Sequence, residues 1–348
     1  MNEFGGANEI VLDRAAREEG LQRLSLRPDA LFTKGTLIKL GTSLDADYLC
    51  YGTYDVSLPT NNSPLRSSSI QISARFLDLR KLQDGATLLE AGKLTDLSRL
   101  EEHLAWGSLK YLQPGANISV DAFMQARKLT RLDAEESYIR GLLSSSKEQQ
   151  RKWFTQASVL DPQFAAPALE LGKLALEQKN YRQAIMFLGR VPGTDPRYAE
   201  ARFAMGLAAY RVGDYAASAE NFRTVAKIVP LSEVYNNLGA AEDRLNLPAA
   251  FDDFRRALDG DKNDTAYLFN FSIALLKQDN FDEASARLRD LAARDPDDAQ
   301  VGTLLERAKS RQVIRPGDTS VPPERLKDNF DETAFRELKA MLQPKKLP

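Results

Sequence analysis

Residues able to do chemistry are scarce in this chain and poorly spaced for it. The 348 residues contain one histidine, His103, and one cysteine, Cys50. A zinc site needs three or four ligands brought together, and His103, in EEHLAW, has no second histidine and no cysteine near it in sequence. It reads as a surface histidine beside carboxylates. Cys50 sits in ADYLCYGTYDVSL, mid-strand among apolar neighbours, where a thiol is buried and inert rather than nucleophilic. The carboxylate pairs Glu135/Glu136, Asp252/Asp253 and Asp297/Asp298 are adjacent in sequence, and adjacent residues on a helix diverge, so none reads as an acid/base pair. Ser144–Ser146 reads as a turn. No phosphate-binding glycine loop, nucleophile elbow or H-E-x-x-H motif occurs. The expectation is a protein without catalytic residues, metal or cofactor.

Composition narrows the partners. Net charge is −2 with 28% charged and 43% hydrophobic residues, so no whole-molecule field favours nucleic acid or an anionic membrane. No run of about 18 apolar residues is available to span a bilayer. One cysteine permits no internal disulfide, which suits a cytoplasm and also many exported proteins. The opening MNEFGGA has neither the basic start nor the apolar stretch of a signal peptide.

The strongest pattern is internal repetition. Segments 168–191, 201–225, 235–258 and 267–291 align on Gly172, Gly206, Gly239 and Ser272, separated by 34, 33 and 33 residues. Each reads as two helices around a tight turn, the small residue letting the second helix approach the first. Tyr181, Tyr215, Leu247 and Phe281 open the second helices as plugs. Small residues follow at Ala184, Ser218, Ala250 and Ala284, then Leu188, Phe222, Phe254 and Leu288, then Val191, Val225, Ala257 and Leu291. That spacing is one apolar helix face. Pro196, Pro230 and Pro296 end three of the units; Lys262 stands at the other. Residues 133–164 read as a degenerate leading hairpin lacking the usual glycine placement, and 297–311 as a closing helix over an exposed apolar end.

The four units resemble tetratricopeptide repeats over about 165–298. The resemblance implies that the first helices line a concave groove. Its face would present Phe203, Leu207, Tyr210 and Arg211, then Asn236, Asn237, Asp243 and Arg244, then Phe269, Asn270, Ile273 and Lys277. Aromatic rings supply contact area, asparagine amides can pair with a peptide backbone, and Arg or Lys can meet a carboxylate. The expected occupant is a protein or peptide segment, the chain's own tail being the alternative.

Ahead of the repeats the pattern changes. Residues 33–45 read as a helix capped by Thr33, 46–58, 69–81 and 86–94 as strands, 59–69 as a polar connection, and 97–112 as an amphipathic helix capped by Asp96. That order suggests an α+β layer. The run over about 10–112 is similar to FlgO-like and TolB amino-terminal-like domains of bacterial envelope proteins, on Asp47, Tyr48, Gly52, Ala74, Arg75 and Asp78. The resemblance implies a role in assembly or interaction and a periplasmic or envelope setting, although the sequence as read, without an export signal, also suits a cytoplasm. It further implies an opening strand-and-helix unit that this sequence largely lacks, so the expectation is either a domain truncated at its start or a shortened version of it.

The tail, 322–343, resembles the ending of bacterial chains that join this module to tetratricopeptide repeats. Phe335, Leu338, Met341 and Leu342 form an apolar stripe on it, and the linker 313–323 should be extended. The whole reads as an α+β amino-terminal domain (1–115), connecting helices (116–164), an all-α tetratricopeptide-repeat solenoid (165–310) and a linker with an amphipathic helix (311–348). The expected function is a non-enzymatic scaffold that binds a peptide or helix; the alternative is a self-assembling structural subunit.

Overall fold

The alternating segments ahead of the repeats form the expected sheet. A computed structural model describes residues 12, 14–27, 30–57, 68–125 and 129–342. They divide into two compact units, one up to Ile139 with Val159–Gln163, the other Arg140–Ser158 with the chain from Phe164 onward.

In the first unit, helices α1 (Arg14–Arg23) and α2 (Lys34–Ser43) precede strands β1 (Tyr48–Ser57), β2 (Ser69–Asp78) and β3 (Gln83–Lys93). The strands form an antiparallel meander in the order β1-β2-β3. Thr33 caps α2, its hydroxyl accepting from the Thr36 N–H. Gly52 faces Ala74 across the ladder, and a Cβ there would lie 1.8 Å from the Ser73 carbonyl oxygen, so only glycine fits. Asp78 accepts from the N–H groups of Arg80 and Lys81 and so shapes the turn into β3. Helix α3 (Leu97–Leu112) packs on β3, with Tyr111 stacked on Phe76 at 4.9 Å between ring centroids. Asp96 stands before α3 without a side-chain capping bond, because the chain enters through a 3-10 turn over Leu94–Asp96 that leaves it at φ −102°. Residue 58, read as the end of a strand, and residues 59–67 of the expected connection lie outside the described residues. Helix α4 (Val120–Gln125) follows.

Helices α5 (Leu132–Leu143) and α6 (Lys147–Leu160) lead into four hairpins. These are α7 (Ala165–Glu177) with α8 (Tyr181–Leu188), α9 (Tyr198–Arg211) with α10 (Tyr215–Ile228), α11 (Ser232–Arg244) with α12 (Ala249–Gly260), and α13 (Thr265–Lys277) with α14 (Phe281–Arg294). Helix α15 (Ala299–Lys309) closes on α14, and α16 (Glu332–Leu342) ends the described chain. The repeat positions form the core: Leu188, Phe222, Phe254 and Leu288 are at most 1% exposed. A Cβ on Gly172, Gly206 or Gly239 would lie 2.5–2.8 Å from Leu188, Phe222 or Phe254 respectively. Three particulars differ from expectation. Leu247 stays 41% exposed, because Pro248 sits at the cap and α12 starts only at Ala249. The leading hairpin does have its glycine: a Cβ on Gly141 would meet the Phe154 ring at 2.4 Å. The linker is not extended; Gly317 at φ +83° and Asp318 fold it into turns, and Ile314 is buried.

The fit at these glycines gives a stability prediction. Gly206→Val should cost about 1–3 kcal/mol through overpacking against Phe222. Gly302→Ala, on the open face of α15 where a Cβ meets nothing within 4 Å, should gain about 0.5–1 kcal/mol from helix propensity alone. Urea midpoints of the two variants would check both signs.

Candidate functional site

The face expected to line a groove is occupied by the chain's own residues 324–335. Asparagines on consecutive repeats hold the segment by its main chain. Asn270 on α13 donates to the Arg325 carbonyl and accepts from the Arg325 N–H, both at 2.8 Å. Asn237 on α11 treats Lys327 in the same way, again at 2.8 Å for both bonds. Asn236 donates to the Arg325 carbonyl and to Asn237 Oδ1, and accepts from Asn270. All three side chains are fully buried. Unpaired amides there would each cost about 1–3 kcal/mol; here their polar atoms are engaged in one network.

Charges and rings flank this main-chain contact. Glu324, enclosed to 5% exposure, accepts from the Tyr210 hydroxyl and from Arg244, both at 2.6 Å. Arg325 lies over the Phe269 ring, 3.7 Å from its centroid, and pairs with Asp298 at 2.5 Å. Lys327 lies over Tyr267 and pairs with Asp264. Phe330 packs edge-on against Phe203 at 5.1 Å and touches Phe335. Of the remaining expected groove residues, Arg211 is half exposed and 3.9 Å from Asp328. Lys277 pairs with Asp243 on the neighbouring repeat, Leu207 is buried in the core, and Ile273 is fully buried. In α16, Phe335 is buried and Leu338 packs on the same core, whereas Met341 and Leu342 stay exposed, so the apolar stripe is only half used.

Sequence reasoning missed Asp264 and Asp298. They stand 34 residues apart, one repeat period, and each does two jobs. Oδ1 caps α13 or α15, and Oδ2 takes the cation of Lys327 or Arg325. The D-x-x-aromatic/Val helix start at each carried the capping signal; nothing local signalled the cation. Tyr267 was also missed, since it lies one turn ahead of the expected face.

Elsewhere the reactive groups are held quiet. Burial pushes the Cys50 thiol up to about 11. His103 Nδ1 lies 3.6 Å from Glu90. Asp253 pairs not with Asp252 but, across the hairpin, with Glu242; burial and that neighbour raise Asp253 to about 7. Both are nearly enclosed and each is tied to an arginine, Arg256 and Arg223. Burial raises Glu135 to about 7 while Ser98 donates to it. Among the described residues, no group of three or more metal-ligating side chains converges, and no helix is long and apolar enough to cross a membrane.

With this geometry in view, comparisons with known proteins find one family match within the repeats. Residues 246–308 match the family described as tetratricopeptide repeat. Among solved structures, the chain is similar to YrrB, described as a tetratricopeptide-repeat protein with an unusual peptide-binding site. That match has 21% identity and a TM-score of 0.41, and covers 46% of this chain and 84% of that one. It is also similar to PilF of Pseudomonas aeruginosa, with 18% identity and a TM-score of 0.42, covering 52% and 86%. A MamA structure gives 15% identity and a TM-score of 0.42, covering 53% and 98%. No curated protein matches the sequence.

Glu324 makes tail docking pH-dependent. Burial, then the hydrogen bond with Asp243, raises it from 4.5 to about 7, so the docked tail holds a proton that a free tail has released. Its contribution is therefore full below pH about 4.5 and is lost as pH rises through about 7. Amide protection of Arg325 and Lys327, corrected for intrinsic exchange, should fall between pH 6 and pH 8. Glu324→Gln should flatten that dependence.

Proposed function

We propose that the chain is a non-enzymatic protein–protein interaction scaffold whose groove, lined by α9, α11 and α13, receives an extended peptide segment by its main chain. The observation that carries this is the pair of two-bond asparagine contacts with residues 325 and 327. Main-chain pairing of this kind does not depend on which side chain follows, so it suits a receptor for segments in general. On this reading residues 324–335 are the resident occupant, and a partner enters by displacing them. The tail is tethered, so its effective concentration is on the order of millimolar and a partner must compete with that. The sheet unit, through its resemblance to FlgO-like and TolB amino-terminal-like domains, would provide attachment in a bacterial envelope.

A labelled peptide of sequence 321–338 tests the groove. We expect it to bind the full-length chain carrying Glu324→Ala and Phe330→Ala, which loosen the tail, at least about tenfold more tightly than the unaltered chain. Adding Asn237→Ala and Asn270→Ala should abolish that binding with far-UV dichroism unchanged. Equal binding with and without the asparagines would sink the groove assignment.

A further inference from the structure

The docked tail is a template for what else the groove can take. Its side-chain contacts follow the repeat register. Asn270 and Asn237, 33 residues apart in the sequence, meet residues 325 and 327, two apart in the tail. Asp298 and Asp264, again one period apart, meet the same two residues. The tail thus advances two residues per repeat, from the later repeats toward the earlier ones. In an extended segment alternate residues present their main-chain groups to one side and their side chains to one face. Two successive repeats therefore read each second residue, one its main chain and the next its cation.

The ladder has two rungs and a defined frame. The positions equivalent to the asparagines on either side are Leu304 and Ala204, which carry no amide. At two residues per repeat the tail position in register with Leu304 is Pro323, which has no N–H to offer. Immediately after Pro323, Glu324 fills the Tyr210–Arg244 seat, and three residues past Lys327, Phe330 meets Phe203. Each contact fixes one residue type at one offset.

We infer that the groove selects an extended segment of a separate protein partner carrying an acid, cations one and three residues later, and an aromatic ring six residues after the acid, as Glu324, Arg325, Lys327 and Phe330 do. The inference rests on the groove being a peptide receptor. Charge complementarity identifies the class of partner: Asp264 and Asp298 supply two anionic seats backed by aromatic rings, and Arg244 and Tyr210, with Asp243 beside them, supply one seat for a carboxyl group. A segment with acids at both cation positions would place carboxylates against the partly covered carboxylates of Asp264 and Asp298 and is refused.

The full-length chain with the loosened tail (Glu324→Ala, Phe330→Ala) is titrated with the 321–338 peptide and with peptides altered at one position each. Replacing the acid, either cation or the ring by alanine should weaken binding about five- to tenfold, and Glu at both cation positions more than a hundredfold. Asp264→Asn keeps a competent helix cap while removing the charge. It should weaken the unaltered peptide about fivefold and leave the Lys-to-Ala peptide unchanged, a coupling that a purely structural aspartate would not produce. If all peptides bind alike, the motif is wrong and the groove reading stands. If no peptide binds a chain of normal helicity, both fall. If loosening the tail instead makes the chain dimerise in proportion to concentration, the seat belongs to a second copy, and the separate partner is overturned.

Discussion

An extended polypeptide offers an N–H and a C=O to one side at every second residue, and a buried main chain must have those groups paired. The groove of this protein meets that demand with side chains: on two consecutive repeats Asn237 and Asn270 each close two hydrogen bonds on one tail residue, and Asn236 adds one to the Arg325 carbonyl. The arrangement works only if the carboxamides recur at the step of the ligand. The repeat period sets that step, and the period is held by the small residue that lets each hairpin close. Gly206 with Phe222 and Gly239 with Phe254 have the same fit, within the same contact distance. Core packing and ligand reading are therefore one constraint: a hairpin pushed open would move its asparagine out of step.

The charged layer follows from the same periodicity. Asp264 and Asp298 are where a helix N-terminus needs an acceptor, and one carboxylate oxygen suffices for the cap. The second is left pointing into the groove beside an aromatic ring of the same stack, Tyr267 or Phe269. A position chosen for helix starts thus doubles as a cation seat wherever the cap is aspartate. At the preceding repeat the cap residue is Leu231, and no third seat forms.

How much of this could be read in advance depended on whether the signal was periodic. Gly172, Gly206 and Gly239 and the apolar residues sixteen or fifteen positions after them gave the hairpins, because close packing imposes a fixed spacing. The asparagines were legible as groove residues for the same reason. Gly141 was not, since it stands at the last turn of α5, nearer its helix end than Gly172 or Gly206, and Phe154 comes only thirteen residues later. The linker turn at Gly317 was also hidden: a lone glycine between prolines reads equally as extended chain. Glu324 and Arg325 could not be assigned from sequence at all. Their role exists only because the chain returns across more than fifty residues to lie on α11 and α13.

That return decides how the groove behaves. Glu324, Asn236, Asn237 and Asn270 are all nearly or fully enclosed with the tail in place. Lifting the tail would expose three amides to water, where they are satisfied, and a carboxylate that then sheds its proton. Neither end state strands a polar group, so the polar layer favours neither strongly. The bias toward docking comes from the apolar contacts of Phe330, Phe335 and Leu338, worth about 1.5–3 kcal/mol per side chain when buried completely, and from the tether. A groove whose polar contacts set the register while its apolar anchors set the strength can exchange one segment for another without losing its alignment. An intruding segment would need a ring at the Phe203 position to match the anchor it displaces.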